Sequence, residues 1–259
     1  MSGVAAILET KALAVSIGGK QVCRDLNLTL RASERWGMLG LNGVGKTSLL
    51  LTLSGIRAQD TGEVWLDGAN LANTPRRQVA QRVGMMFQDS DEAFPSSVME
   101  AALIGRHPHL QAWAWESAQD EAIAHKALNA VSLAGLETRS SATLSGGERR
   151  RLALATLLVQ DPQLFLLDEP VNHLDVQHQI AALDLLTRLT RGKSKTLLMV
   201  LHDVNLAARY CDFVLLLFGD GETLQGPARE LLTEENLQRL YQYPLRRVQT
   251  HDGVFFYPM

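Results

Sequence analysis

The sequence predicts an α/β fold with an antiparallel β region at its start and a helical stretch inserted into the core. Three observations carry this. Short apolar runs alternate with helix-like stretches along much of the chain. Three denser runs, Val83 to Phe87, Leu164 to Leu167 and Thr196 to Leu201, have the near-continuous hydrophobicity of parallel strands covered on both faces. Between about Ser96 and Gln160 strand patterns vanish and helical periodicity takes over.

Taken in order, Leu26-Asn27-Leu28-Thr29-Leu30 alternates with period two and reads as one half-exposed strand. Trp36 to Leu39 reads as a strand and Lys46 to Leu53 as a helix, with Gly55 where a C-cap glycine belongs. Glu63 to Leu66, followed by Asp67-Gly68, is a strand entering a tight turn, so this early part is expected to be antiparallel and partly a meander. Ser97-Val98-Met99-Glu100 fits a capping box opening a helix. Trp115 to Val131 and Gly146 to Val159 carry helical periodicity. After Gly226-Pro227 come short helical turns, and Asp252-Gly253 marks a closing hairpin between Val248 and Phe255. The expected organisation is one domain over 1–259. Residues 1–92 and 158–226 form an α/β core, 93–157 a helical subdomain and 227–259 a tail.

The 259 residues, 46% hydrophobic and 20% charged, can bury a full core without staples. Two cysteines, Cys23 and Cys211, exclude a disulfide scaffold and point to a reducing compartment. A net charge of −3 argues against a general nucleic-acid binder. No apolar run nears the ~20 residues that span a bilayer, and Met1-Ser2-Gly3-Val4 does not open a signal peptide. The chain is expected not to enter a membrane itself, which leaves attachment to a membrane partner open.

Gly40-Leu41-Asn42-Gly43-Val44-Gly45-Lys46-Thr47, with Ser48 following, matches the phosphate-binding P-loop pattern in the required strand–loop–helix context. Glycines let backbone N–H groups surround phosphate oxygens, and the helix N-terminus adds a positive dipole end. Lys46 would supply charge to the β- and γ-phosphates, and Thr47 a hydroxyl ligand for Mg²⁺.

The apolar strand Leu164 to Leu167 ends in Asp168-Glu169-Pro170. Ligands of open α/β sheets bind at carboxyl ends of strands, and two adjacent carboxylates call for a cation between them. Asp168 is assigned to the shell of Mg²⁺ and Glu169 to polarising an attacking water; the plainer reading is an acidic N-cap. Leu144-Ser145-Gly146-Gly147-Glu148 reads locally as a capping box on Ser145 and Glu148, and a helix start led by two glycines also offers bare N–H groups to an anion.

Together, the P-loop, the Leu-Ser-Gly-Gly-Glu motif and the Asp168-Glu169 strand end resemble the ATP-binding subunit of ABC transporters. The resemblance runs over roughly Ile7 to Val248. It implies a P-loop NTPase core of the ABC ATPase type, a RecA-like mixed sheet with an antiparallel β subdomain and an inserted helical subdomain. It further implies that Gln88 is the glutamine that contacts Mg²⁺ and couples the helical subdomain to the nucleotide, that Asn172-His173-Leu174-Asp175 is the D-loop, and that His202 contacts the γ-phosphate. ATP and Mg²⁺ are the implied cofactors. Two copies would face head to tail, each ATP lying between Gly40–Ser48 of one and Ser145, Gly146, Gly147 and Glu148 of the other. The implied partners are transmembrane permease subunits and, indirectly, a substrate-binding protein, with no nucleic acid, at the cytoplasmic face of the inner or plasma membrane. Two positions depart from the family pattern: Ile17 stands where an aromatic ring usually stacks on adenine, and Glu148 where glutamine is commoner.

Several stretches are similar to the importer group for ferric siderophores, haem and cobalamin: Gly105-Arg106-His107-Pro108-His109, the run from His173 to Gln179, His202 to Asp212, and Tyr241 to Leu245. His107 and His109, around a proline and without a third ligand, are expected to be surface residues rather than a metal site. Phe94, Val98 and Met99 are either docking contacts for a membrane subunit or core of the small subdomain. Arg149-Arg150-Arg151 reads as a solvated helix face. The competing readings are a soluble ABC ATPase of DNA repair or translation, and a P-loop kinase or GTPase that would have no use for Ser145–Glu148 or His202.

Overall fold

The computed structural model describes residues 5–88, 96–111, 114–191, 195–251 and 253–259. Chain order runs β1 (Ala6–Ile17), β2 (Lys20–Leu26), β3 (Thr29–Arg31), β4 (Arg35–Gly40), α1 (Lys46–Leu53), β5 (Thr61–Leu66), β6 (Ala69–Asn70), α2 (Arg76–Arg82) and β7 (Val83–Met86). It continues with α3 (Val98–Leu103), α4 (Ala118–Ala130), α5 (Gly146–Gln160), β8 (Leu164–Leu167), α6 (Val176–Thr190), β9 (Thr196–Val200) and α7 (Val204–Tyr210). It closes with β10 (Phe213–Leu217), β11 (Thr223–Pro227), α8 (Ala228–Leu231), α9 (Glu234–Tyr241), β12 (Leu245–Thr250) and β13 (Gly253–Pro258).

A six-stranded sheet runs β11-β10-β4-β9-β8-β7, parallel except for β11 on its edge. The three dense apolar runs are its neighbouring strands β7, β8 and β9. Leu164, Phe165, Leu166 and Leu167 are all fully buried, because β8 is covered on both faces. Period-two alternation sends Leu164 and Leu166 toward Leu49, Leu50 and Leu53 of α1, and Phe165 and Leu167 toward the cluster holding Val98, Ala124 and Leu152 of α3, α4 and α5. Each such leucine contributes about 1.5–3 kcal/mol of burial, so the strand ends stand on a rigid platform.

The second sheet is antiparallel, with β2, β3 and β5 all pairing with β1 and β6 with β5. It is therefore not a simple meander, since β3 returns to β1. The expected strand from Leu26 to Leu30 is broken: β2 ends at Leu26 and β3 starts at Thr29. Leu26, Leu28 and Leu30 are nonetheless all buried, as the alternation requires. Asp25 takes a positive φ of 46°, and Asn27 turns to hydrogen-bond the Asp25 carbonyl and the Ala12 N–H, which kinks the chain between two registers on β1.

The helical stretch is present. Ser97 and Ser145 each form a complete capping box, with Glu100 and Glu148. The helix expected from Trp115 starts only at Ala118, because Ser117 caps it through Asp120 while Trp115 is 90% exposed. Val98 is buried and Met99 partly buried against the core, so both are packing residues. Phe94 lies outside the described residues, as does Asp252, beside which β12 and β13 pair with Val248 opposite Phe255. No helix among the described residues is long and apolar enough to cross a membrane.

Candidate functional site

Parallel pairing puts the carboxyl ends of β4, β9, β8 and β7 along one edge of the sheet. From these four ends emerge the loop after Gly40, His202, the Asp168-Glu169 pair and Gln88. This is the edge where open α/β sheets bind ligands.

The loop from Leu41 to Gly45 tightens through a Val44 N–H donating to the Leu41 carbonyl at 3.3 Å, then enters α1. Gly43 and Gly45 have φ of 75° and 102°, which L side chains rarely adopt. A Cβ on Gly45 would lie 2.4 Å from Cγ2 of Val22, so the β1–β2 hairpin presses directly on the loop. Lys46 is buried, its Nζ donating to the carbonyls of Gly40 at 2.8 Å and Leu41 at 3.0 Å. Burial lowers its pKa, and Glu169 and Asp168 oppose the shift. Ser48 is buried behind it.

Thr47 Oγ1 donates to Asp168 Oδ2 at 2.6 Å. Asp168 is 1% exposed, and its other oxygen, Oδ1, is buried without a partner. Burial raises the Asp168 pKa, the Thr47 hydrogen bond opposes this, and Glu169 adds to it. A hydroxyl beside an orphaned carboxylate oxygen is a donor set suited to a hard divalent cation.

Glu169 is buried in the left-handed region at φ 51°, a costly conformation for a non-glycine residue and one that collects at functional sites. Its carboxylate is held at both oxygens: Oε1 meets His202 Nε2, and Oε2 accepts from Asn172 Nδ2. Asn172, expected only as part of the D-loop, is thus also a direct partner of Glu169. Gln88 is exposed just beyond β7.

The expected residues therefore fall into two groups. Lys46, Thr47, Asp168, Glu169 and His202 gather around the sheet edge through the contacts above. Ser145, Gly146, Gly147 and Glu148 sit at the start of α5, where Ser145 Oγ accepts from the Glu148 N–H and Glu148 Oε2 accepts from the Ser145 N–H. Their neighbours include Arg139, 3.5 Å from Glu148, and the segment His173–Leu174, which a Cβ on Gly147 would touch. Hydrogen bonds from Ser145 hold the Glu148 pKa below its usual range.

Of the arginine run, Arg149 is exposed and Arg151 partly so, and only Arg150 departs from the expected solvated face. Arg149 donates to the Leu144 carbonyl at 2.6 Å and Arg151 to the Ser132 carbonyl at 2.8 Å, while Arg150 is buried and reaches the main chain at Gln88, Asp168 and Glu169. His107 is exposed, and His109 hydrogen-bonds the Gln160 carbonyl at 2.8 Å; no cluster of metal-ligating side chains occurs among the described residues.

A family model described as ABC transporter matches residues 23–172. The chain is 35% identical over 241 residues to the ferric enterobactin transport ATP-binding protein FepC of Escherichia coli (strain K12), covering 93% of this chain and 89% of that one. It is 40% identical over 240 residues to the hemin import ATP-binding protein HmuV of Pseudomonas fluorescens, covering 91% and 92%. A solved structure described as an inward-facing conformation of a metal-chelate type ABC transporter superposes with a TM-score of 0.85 at 28% identity, over 98% of both chains.

Proposed function

The chain belongs to the ABC transporter family, and from that premise we propose that it is the ATP-binding and hydrolysing subunit of an importer for a metal chelate: an iron siderophore, haem, cobalamin or a related compound. The relatives' import functions support this over a soluble ATPase of DNA repair or translation. The observation that carries the catalytic reading is the meeting of the P-loop with the acidic strand end, Thr47 on Asp168.

In this reading Gly40, Leu41, Asn42, Gly43, Val44 and Gly45 cradle the phosphates of ATP, and Ser48 supports the turn. Lys46 leaves the carbonyls of Gly40 and Leu41 for the β- and γ-phosphates. Thr47, Asp168 and Gln88 hold Mg²⁺, which when bound neutralises charge on the phosphates. Glu169 accepts a proton from the attacking water, held in orientation by Asn172. His202 exchanges its contact with Glu169 for one to the γ-phosphate.

A second copy completes each site with Ser145, Gly146, Gly147 and Glu148, a helix start whose glycine N–H groups suit an anion. Residues 93–157 act as a helical subdomain between the core segments 1–92 and 158–226, with 227–259 as a tail. The subunit works with transmembrane permease subunits at the cytoplasmic face of the membrane, served by a substrate-binding protein.

The test combines purification in mild detergent with uptake. A polytopic membrane protein should co-purify with the chain, and a deletion strain should lose uptake of one class among ferric siderophores, haem and cobalamin. Repeated purification without a membrane partner, together with unimpaired uptake of all three, would refute the importer reading.

A further inference from the structure

The β7–β8 ladder ends where the Asp168 N–H donates to the Met86 carbonyl at 2.9 Å. The residues that matter most lie at or beyond that bond: Gln88 on one strand, Glu169 on the other, and Glu169 leaves the strand in the left-handed conformation. Sheet pairing no longer fixes these two ends to each other. Arg150, in α5 and 6% exposed, does. Its Nη1 donates to the carbonyls of Phe87 and of Gln88, the latter at 2.8 Å, and its Nη2 to those of Asp168 and Glu169. The planar fork of a guanidinium is the side-chain group that can span two strand ends with directed N–H donors at both. The charge also acts on the neighbouring carboxylate, since Arg150 opposes the upward pull of burial on Asp168. Arg150 lies two residues beyond Glu148 of the Ser145–Glu148 cap, so the same side chain ties that cap to both strand ends.

We infer that Arg150 is a positioning residue for hydrolysis: by bonding the main chain at Phe87–Gln88 and at Asp168–Glu169, it fixes Glu169 and Gln88 in register with the start of α5. This rests on the reading of Glu169 as the group that polarises the attacking water. Arg150 touches no phosphate in that reading, so its loss should slow the chemical step and leave nucleotide binding in place.

The test uses R150K, R150Q and R150M in the full chain within its membrane complex. The readouts are kcat and KM for MgATP, affinity for a fluorescent ATP analogue, and melting temperature. An ammonium is a point donor on a flexible stem and lacks the rigid planar fork that holds both strand ends at one spacing. R150K should therefore lose about 100-fold in kcat, as a misplacement of about 1 Å does, with analogue affinity near wild type and a melting temperature lowered only by the hydrogen bonds left unmade. R150Q, whose shorter side chain offers a single amide nitrogen, should show the same split, with kcat reduced and analogue affinity near wild type. If R150M does not fold, the other two variants still decide. Wild-type kcat in R150K overturns the inference, and so does a joint fall of rate, affinity and melting temperature in both R150K and R150Q, which is the signature of a merely structural residue. E169Q assayed alongside separates the layers: if E169Q is inactive while R150K is fully active, only the role of Arg150 fails, whereas an active E169Q removes the reading beneath it.

Discussion

Thr47 Oγ1 lies 2.6 Å from Asp168 Oδ2, joining the first turn of α1 to the end of β8. The bond satisfies one carboxylate oxygen and leaves the other buried and unpartnered. Burial raises the Asp168 pKa from 3.8. A carboxyl whose folded pKa is raised favours its protonated form in the fold. Its penalty is absent below pH 3.8, grows as pH rises toward the folded value, and is complete above it. Asp168→Asn removes that penalty. The nucleotide-free variant should melt higher than wild type at pH 7, by about 2–4 °C per kcal/mol recovered. The gap should narrow on acidification, and ATP turnover should be lost. A variant that melts lower at pH 7 would contradict the account.

Asp120 behaves in the opposite sense. It accepts from Ser117 Oγ at 2.7 Å, the Ser117 N–H at 2.9 Å and Arg106 Nε at 2.7 Å. The hydrogen bonds from Ser117, then that from Arg106, lower its pKa from 3.8 to about 2. Its stabilisation is present above pH 3.8 and is lost as pH falls through about 2. Asp120→Asn should cost about 1.5–3 kcal/mol in urea unfolding at pH 7. The difference from wild type should shrink between pH 4 and 2 and should persist at high pH.

Gly45 is fixed by two separate constraints, its φ of 102° and the 2.4 Å from a built Cβ to Val22. Gly45→Ala should cost about 1–3 kcal/mol for the backbone and about 1–3 kcal/mol for the crowding, and should abolish nucleotide binding. Adding Val22→Ala should recover the crowding part alone. Full recovery in the double variant would show that the backbone conformation does not matter.

Ile17, 40% exposed at the end of β1, sits on the hairpin whose Val22 presses on the P-loop. An isoleucine offers dispersion contact to a purine but no π face. Ile17→Tyr should tighten ATP binding by about 0.5–1.5 kcal/mol, roughly 2- to 12-fold in Kd. A titration with a fluorescent ATP analogue checks this, and an unchanged or weaker Kd would show that the base does not lie against this residue.

Much of the site could be read from the amino-acid order because its chemistry is local. A glycine-rich loop between a strand and a helix, an apolar run ending in two acids, and a serine three residues before a glutamate each specify their own geometry. The capping boxes at Ser97 and Ser145 formed for that reason. What escaped depends on distant segments meeting. Three adjacent arginines look solvated until β7 and β8 are seen to end over α5, where Arg150 finds four carbonyls. Asn172 carries no sign that its amide faces Glu169, since Glu169 must first turn into the left-handed region. The alternation of Leu26, Leu28 and Leu30 correctly gave the buried face but not the break, which comes from Asn27 bonding across to β1.

The central claim is that Glu169, at the end of β8 and held by His202 and Asn172, polarises the water that attacks ATP. Glu169→Gln keeps the shape and removes the proton acceptor. Single-turnover hydrolysis measured beside nucleotide binding should show ATP bound as in wild type and turnover reduced about 10²–10⁴-fold. Undiminished turnover in that variant would contradict the claim.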